Sequence, residues 1–141
     1  MSVERVKSMV RRVVEVQQNG NVEAIDQMFS EDFVDHTPFP GVTADREGVK
    51  ALFTTMLAAF PDLRVTIQDQ VAQEDAVATR KRFSGSHRAA FLGLPASGRE
   101  VTFEVIDILR FRDGRITDHW MMVDTAALIR QLTVGSESQG K

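Results

Sequence analysis

The sequence predicts an α+β domain, with helices first and an antiparallel sheet after them. Apolar residues recur at helical spacing as far as Phe60, and from Leu63 onward the pattern changes to alternation. Turn signals at Glu74-Asp75, Gly93–Gly98 and Asp113-Gly114 divide the second half into four alternating runs. Helices followed by such a meander form a layered architecture in which the sheet buries one face against the helices.

The elements follow in order. Val3, Val6, Val10, Val13 and Val14, widened by Met9 and Val16, predict a helix over 3–18, stopped by Asn19-Gly20. Asn21 caps a short second helix carrying Val22, Ile25, Met28 and Phe29. Ser30 to His36 is a short extended piece closed by the turn at Pro38, Pro40 and Gly41. A third helix presents Val49, Leu52, Phe53, Met56, Leu57 and Phe60, is capped by Asp45 or Thr43, and ends at Pro61-Asp62. The strand runs begin at Leu63, Ala76, Glu100 and Arg115, and a helical turn or two at Thr125–Leu132 completes a single domain over 1–132. Residues 133–141 are expected to be a disordered tail.

Composition narrows the chemistry. The chain of 141 residues has 43% hydrophobic and 26% charged residues, as a folded globular domain does. It contains no Cys and no Tyr, which removes thiolates, Cys-ligated metals and phenols and leaves carboxylates, bases, hydroxyls and three histidines, His36, His87 and His119. No apolar run is long enough to cross a bilayer and no secretory signal opens the chain, so the expectation is a cytoplasmic protein without membrane contact. A net charge of −3 gives no general attraction to nucleic acid. The basic run Arg80, Lys81, Arg82 and Arg88 reads as a solvated or ion-paired face, with Phe83 its only interleaved aromatic. The histidines show no metal-ligand spacing, so no metal site is expected.

Two strands carry the candidate chemistry. In Val101–Phe111 one face is Val101, Phe103, Val105, Asp107, Leu109 and Phe111, which makes Asp107 the lone ionisable group in an apolar row. Burial there is expected to raise its pKa and suit it to acid, base or oxyanion-donor work. The alternative is a structural pair with Arg80 or Arg82. In Arg115–Asp124, Thr117, His119, Met121 and Val123 share a face, so His119 becomes the partner of Asp107 across a hairpin. The other faces hold Ile106, Ile108, Trp120 and Met122, to be covered by a second subunit or by the C-terminal helix, with a homodimer the preferred reading. His36, His87 and Arg80 are the candidate substrate-orienting groups. Phe33, Phe39, Phe53, Met56, Phe103, Leu109 and Met121 are the candidate pocket wall.

The motifs Phe33-Val34-Asp35-His36, Ala59-Phe60-Pro61-Asp62-Leu63, Gly85-Ser86-His87, Phe91-Leu92-Gly93-Leu94-Pro95-Ala96-Ser97-Gly98 and Asp113-Gly114-Arg115-Ile116-Thr117-Asp118-His119-Trp120 together resemble the SnoaL-like polyketide cyclase, or ester cyclase, family. The resemblance implies a nuclear-transport-factor-two-like cone, in which three helices and a curved mixed sheet enclose an apolar pocket. It also implies an intramolecular aldol ring closure without metal or organic cofactor. Those cyclases carry their acid/base aspartate where this chain has Met121 and a histidine where it has Asp107, so the resemblance moves proton transfer to Asp107 and His119. Glu104–Phe111 resembles ketosteroid isomerases, in which the aspartate matching Asp107 is a protonated oxyanion donor. The isomerase base falls at His36 and its oxyanion tyrosine at Val13, which disfavours that activity. Two other readings are a binding module for a small apolar ligand and an epoxide hydrolase; the latter requires Asp107, Arg80 and Asp118 to converge.

Overall fold

The computed structural model describes residues 1–139. Helix α1 (Val3–Asn19) starts where the Ser2 side chain accepts a hydrogen bond from the Arg5 N–H, and it ends at Gly20, whose φ of 76° is the left-handed conformation of a helix stop. Five of its seven buried residues are valines. Their helix propensity is up to about 0.7 kcal/mol worse than that of alanine. Burial of a valine contributes at least about 1.5 kcal/mol, so packing holds this helix.

A 3₁₀ turn at Val22–Ala24 leads into the single-turn helix α2 (Ile25–Met28) and then strand β1 (Phe29–Asp35). Helix α3 (Arg46–Ala59) is capped by Asp45, which accepts from the Gly48 N–H. A Cβ at Gly48 would lie 1.8 Å from the Thr43 carbonyl oxygen, so the loop entering α3 requires glycine there. Four long strands follow: β2 (Arg64–Gln73), β3 (Ala76–Ser86), β4 (Glu100–Arg112) and β5 (Arg115–Val123). Positive φ at both Asp113 and Gly114 makes the β4–β5 turn of the type that matches strand twist.

The sheet is open and mixed, in the order β1-β5-β4-β3-β2, with β1 parallel to β5 and the other pairs antiparallel. Helix α4 (Thr125–Gln139) covers the part of β4 that β5 leaves free; the Gln131 side chain bonds both the N–H and the C=O of Thr102, and Leu128 and Leu132 are buried. Helical backbone therefore continues past Leu132 into the segment expected to be a tail. The last two residues of that expected tail, 140–141, lie outside the described residues. Among the described residues no helix is long and apolar enough to cross a membrane.

The apolar interior falls into two clusters. One joins α1, α2 and β1 to Val77, Leu109 and Phe111. The other joins the end of α3 to Phe83, Phe103, Phe91 and α4. An internal chamber lies on the seam between them.

Candidate active site

Nineteen residues from α1, α3, the loop after β1 and all five strands except β2 line a chamber of about 50 Å³. Most are apolar. All seven predicted wall residues, Phe33, Phe39, Phe53, Met56, Phe103, Leu109 and Met121, are among them. So are Val13, Val49, Phe83 and Val105. The half-buried Phe39, Leu52, Met121 and Val123 mark the side where the chamber meets the surface.

Across this apolar wall runs one polar diagonal, and strand register explains it. Asp107 on β4 pairs with Thr79 on β3 and Met121 on β5. Lys81 lies two residues beyond Thr79, His119 two residues before Met121, and Asp35 on β1 pairs with His119. Two-residue steps keep side chains on one face, so four neighbouring strands each send one ionisable group into the chamber. Lys81 Nζ donates to Asp107 Oδ2 at 2.8 Å. His119 Nε2 stands 3.8 Å from the same oxygen, and its Nδ1 donates to Asp35 Oδ1 at 3.2 Å. Asp35 Oδ1 also accepts from the Thr37 N–H, which fixes the carboxylate. Lys81 and Asp107 are only 2% and 4% exposed.

The remaining oxygen, Asp107 Oδ1, is buried and has no hydrogen-bond partner among the described residues. An unsatisfied buried carboxylate oxygen costs free energy, and such atoms concentrate at sites that use them.

Burial pushes the Asp107 pKa upward, but the Lys81 charge and the bond toward His119 outweigh it and hold the carboxyl below its ordinary value. The expected rise is therefore reversed, because strand alternation brings Lys81 inward beside the acid. Burial likewise opposes charge on Asp35, and His119 more than offsets it, so Asp35 is also lowered. For His119, burial favours the neutral ring, yet the two carboxylates prevail and raise its pKa. The resting arrangement is an anionic Asp107 with one free oxygen, flanked by an ammonium and a readily protonated imidazole.

The family described as SnoaL-like polyketide cyclase matches residues 7–132. The chain belongs to that family. It is 26% identical over 131 residues to the aklanonic acid methyl ester cyclase DauD of Streptomyces sp. strain C5, covering 88% of this chain and 79% of that one. TsrD from Streptomyces laurentii superposes with a TM-score of 0.85 at 29% identity, over 94% of this chain and 97% of that one. IdmH from Streptomyces antibioticus gives 0.77 at 33% identity, over 89% and 96%. The nuclear-transport-factor-two-like architecture expected of a SnoaL-like protein is the one observed.

Three predicted orienting residues lie away from the chamber of this SnoaL-like domain. Arg80 points to the outer face and bonds Gln68, because it alternates with Lys81. His36 also faces outward, stacked on Trp120 at 4.3 Å with Nε2 donating to Asp118 Oδ1 at 2.9 Å. His87 is wholly buried beyond the chamber, where its Nδ1 accepts from Ser97 and its ring packs on Phe60. Burial lowers its pKa. The partner of Asp107 is Lys81 rather than Arg80 or Arg82; Arg82 faces outward and pairs with Glu104 at 3.6 Å. Asp107 faces in while Arg80 and Asp118 face out, so the convergence an epoxide hydrolase needs is absent.

Sequence reasoning missed Lys81 and Asp35. Both had a signal: Lys81 shares parity with Thr79 and Phe83, and Asp35 shares it with Phe33.

Proposed function

We propose that this SnoaL-like chain is a cofactor-independent acid/base enzyme that closes a ring in a small, largely apolar polyketide-like carbonyl or ester compound by an intramolecular aldol-type reaction. The observation that carries this reading is the free, buried Oδ1 of an ionised Asp107 on an apolar chamber wall. Oδ1 takes a proton from the carbon beside a ligand carbonyl, and the enolate carbon attacks a second carbonyl of the same molecule. His119, charged by Asp107 and Asp35, gives a proton to the new alkoxide and recovers one from Asp107. No atoms enter or leave, so the product is an isomer of the substrate.

The test is conversion of aklanonic acid methyl ester and related polyketide methyl esters to products of unchanged mass. Asp107→Asn is expected to lower turnover by at least about 10²-fold while the fold and ligand affinity persist. Equal turnover in that variant would sink the assignment. The competing reading, a module that only holds an apolar ligand, draws support from Met121, which sits opposite Asp107 where the cyclases carry their acid. It predicts ligand binding with no turnover in wild type.

A second copy of the chain is the occupant we infer for the outer face of β4 and β5. There Ile106 and Met122 are 52% and 76% exposed, Ile108 is also exposed and Trp120 half-buried, while α4 packs elsewhere. Ile108→Glu should convert a dimer to a monomer by light scattering; a wild type that is already monomeric would refute it.

A further inference from the structure

The acid/base reading uses Lys81 only as a counter-charge, and its geometry offers more. An ammonium carries three donors. Among the described residues Lys81 Nζ fills one of them, with Asp107 Oδ2 at 2.8 Å. The other two are withheld from water, since the residue is 2% exposed, on the wall of a chamber lined by apolar side chains. A structural ion pair in that setting gains nothing from lying on a cavity wall, and breaking even against desolvation is the usual best case for such a pair. Lysines removed from water into apolar sites are, in contrast, the amines that form imines with carbonyl compounds.

The geometry points to Lys81 as a nucleophile that forms a covalent imine with the ketone or aldehyde carbon of the ligand, with Asp107 shuttling the protons. This rests on the carbonyl-ligand reading above and deepens it. Ligand binding dries the chamber and favours the neutral pair, so Lys81 passes one proton across its 2.8 Å bond to Asp107 Oδ2. The nitrogen lone pair then bonds to the carbonyl carbon as the carbonyl π pair moves to oxygen, and transfer of a proton from nitrogen to that oxygen gives a neutral carbinolamine. Asp107 returns its proton to the hydroxyl, the C–O bond breaks and water leaves. The product is a protonated imine facing a carboxylate. Charge and atoms balance, with one carbonyl and one ammonium giving one iminium and one water. The iminium makes the adjacent C–H more acidic, and the free Oδ1 of the same Asp107 is placed to remove that proton; attack of the enamine carbon and hydrolysis by water complete the cycle.

The chain contains four lysines, Lys7, Lys50, Lys81 and Lys141, which makes the site assignable. The full chain is incubated with 2-pentanone and sodium cyanoborohydride, and the adduct, the mass of the ketone less one oxygen atom, is located by peptide mapping. The expected result is labelling of Lys81 at least about tenfold ahead of Lys7, which is half-buried on α1, and loss of that preference in Asp107→Asn. Lys81→Arg keeps the charge beside Asp107, so its thermal melt reports folding while its adduct disappears. Wild type labelled only at the other lysines overturns the imine. If the same protein still exchanges the α-hydrogens of 2-pentanone in D2O, the Asp107 base reading survives that failure. If it neither labels nor exchanges, both are overturned.

Discussion

Two histidine–aspartate clusters sit on opposite faces of β5, one residue apart. His36 and Asp118 meet at 2.9 Å on the outer face, and His119 reaches Asp35 at 3.2 Å and Asp107 at 3.8 Å on the inner face. The chemistry is the same, and the shorter contact is the outer one. Distance is therefore a poor guide to which cluster matters. The outer pair is a third exposed on each side, where solvent and salt screen it and such pairs are worth about 0–1 kcal/mol. The His36 bond, its largest influence, lowers Asp118 without creating a cavity-facing group. The inner cluster is buried, carries a third charged partner in Lys81 and leaves one carboxylate oxygen unused. Burial and the unused acceptor, rather than the pairing itself, separate the inner cluster from a surface ion pair.

The comparison breaks most visibly at Asp35. Asp35→Asn removes one of the two carboxylates that raise His119, so the pH at which activity is lost on the alkaline side should fall, measured as the high-pH limb of a rate profile. Stability should drop by about 2 kcal/mol near neutral pH, as for a lost hydrogen bond to a charged group. The direction follows from linkage. His119 holds its proton more tightly folded than unfolded, so its contribution is complete below about pH 6.5 and is lost as pH rises through its raised folded pKa. Asp35 and Asp107 are lowered from 3.8, so theirs is present above that value and lost as pH falls through their folded pKa. An unmoved alkaline limb in Asp35→Asn would remove His119 from the acid role.

His36→Ala should do far less. It deletes a screened pair and a stacking contact with Trp120, for a loss of about 1 kcal/mol in a denaturant melt and no change in the rate profile. A change in the profile comparable to that of Asp35→Asn would erase the distinction between the two faces.

The inner face was legible where alternation is strict. The β4 row from Val101 to Phe111 is buried as predicted, and it carried Asp107 and the wall residues Phe103 and Leu109 with it. Alternation also contained Lys81 and Asp35, but stronger local patterns hid them. Arg80-Lys81-Arg82 reads as one basic surface, although successive strand residues face opposite ways. Asp35-His36 reads as a motif, and the histidine drew attention to the outward residue. His87 continues the inward parity of β3 beyond the end of the strand, where the chain turns and buries it against Phe60 and Ser97. Side-chain placement past a strand end depends on loop packing, which parity does not carry.

The central claim is that the free oxygen of Asp107 is the base that faces the ligand. Its most direct measurement is α-hydrogen exchange of 2-pentanone in D2O, followed by proton NMR for wild type, Asp107→Asn and His36→Ala. The account predicts catalysed exchange in wild type and His36→Ala and background exchange in a folded Asp107→Asn. Exchange that survives unchanged in Asp107→Asn would contradict it.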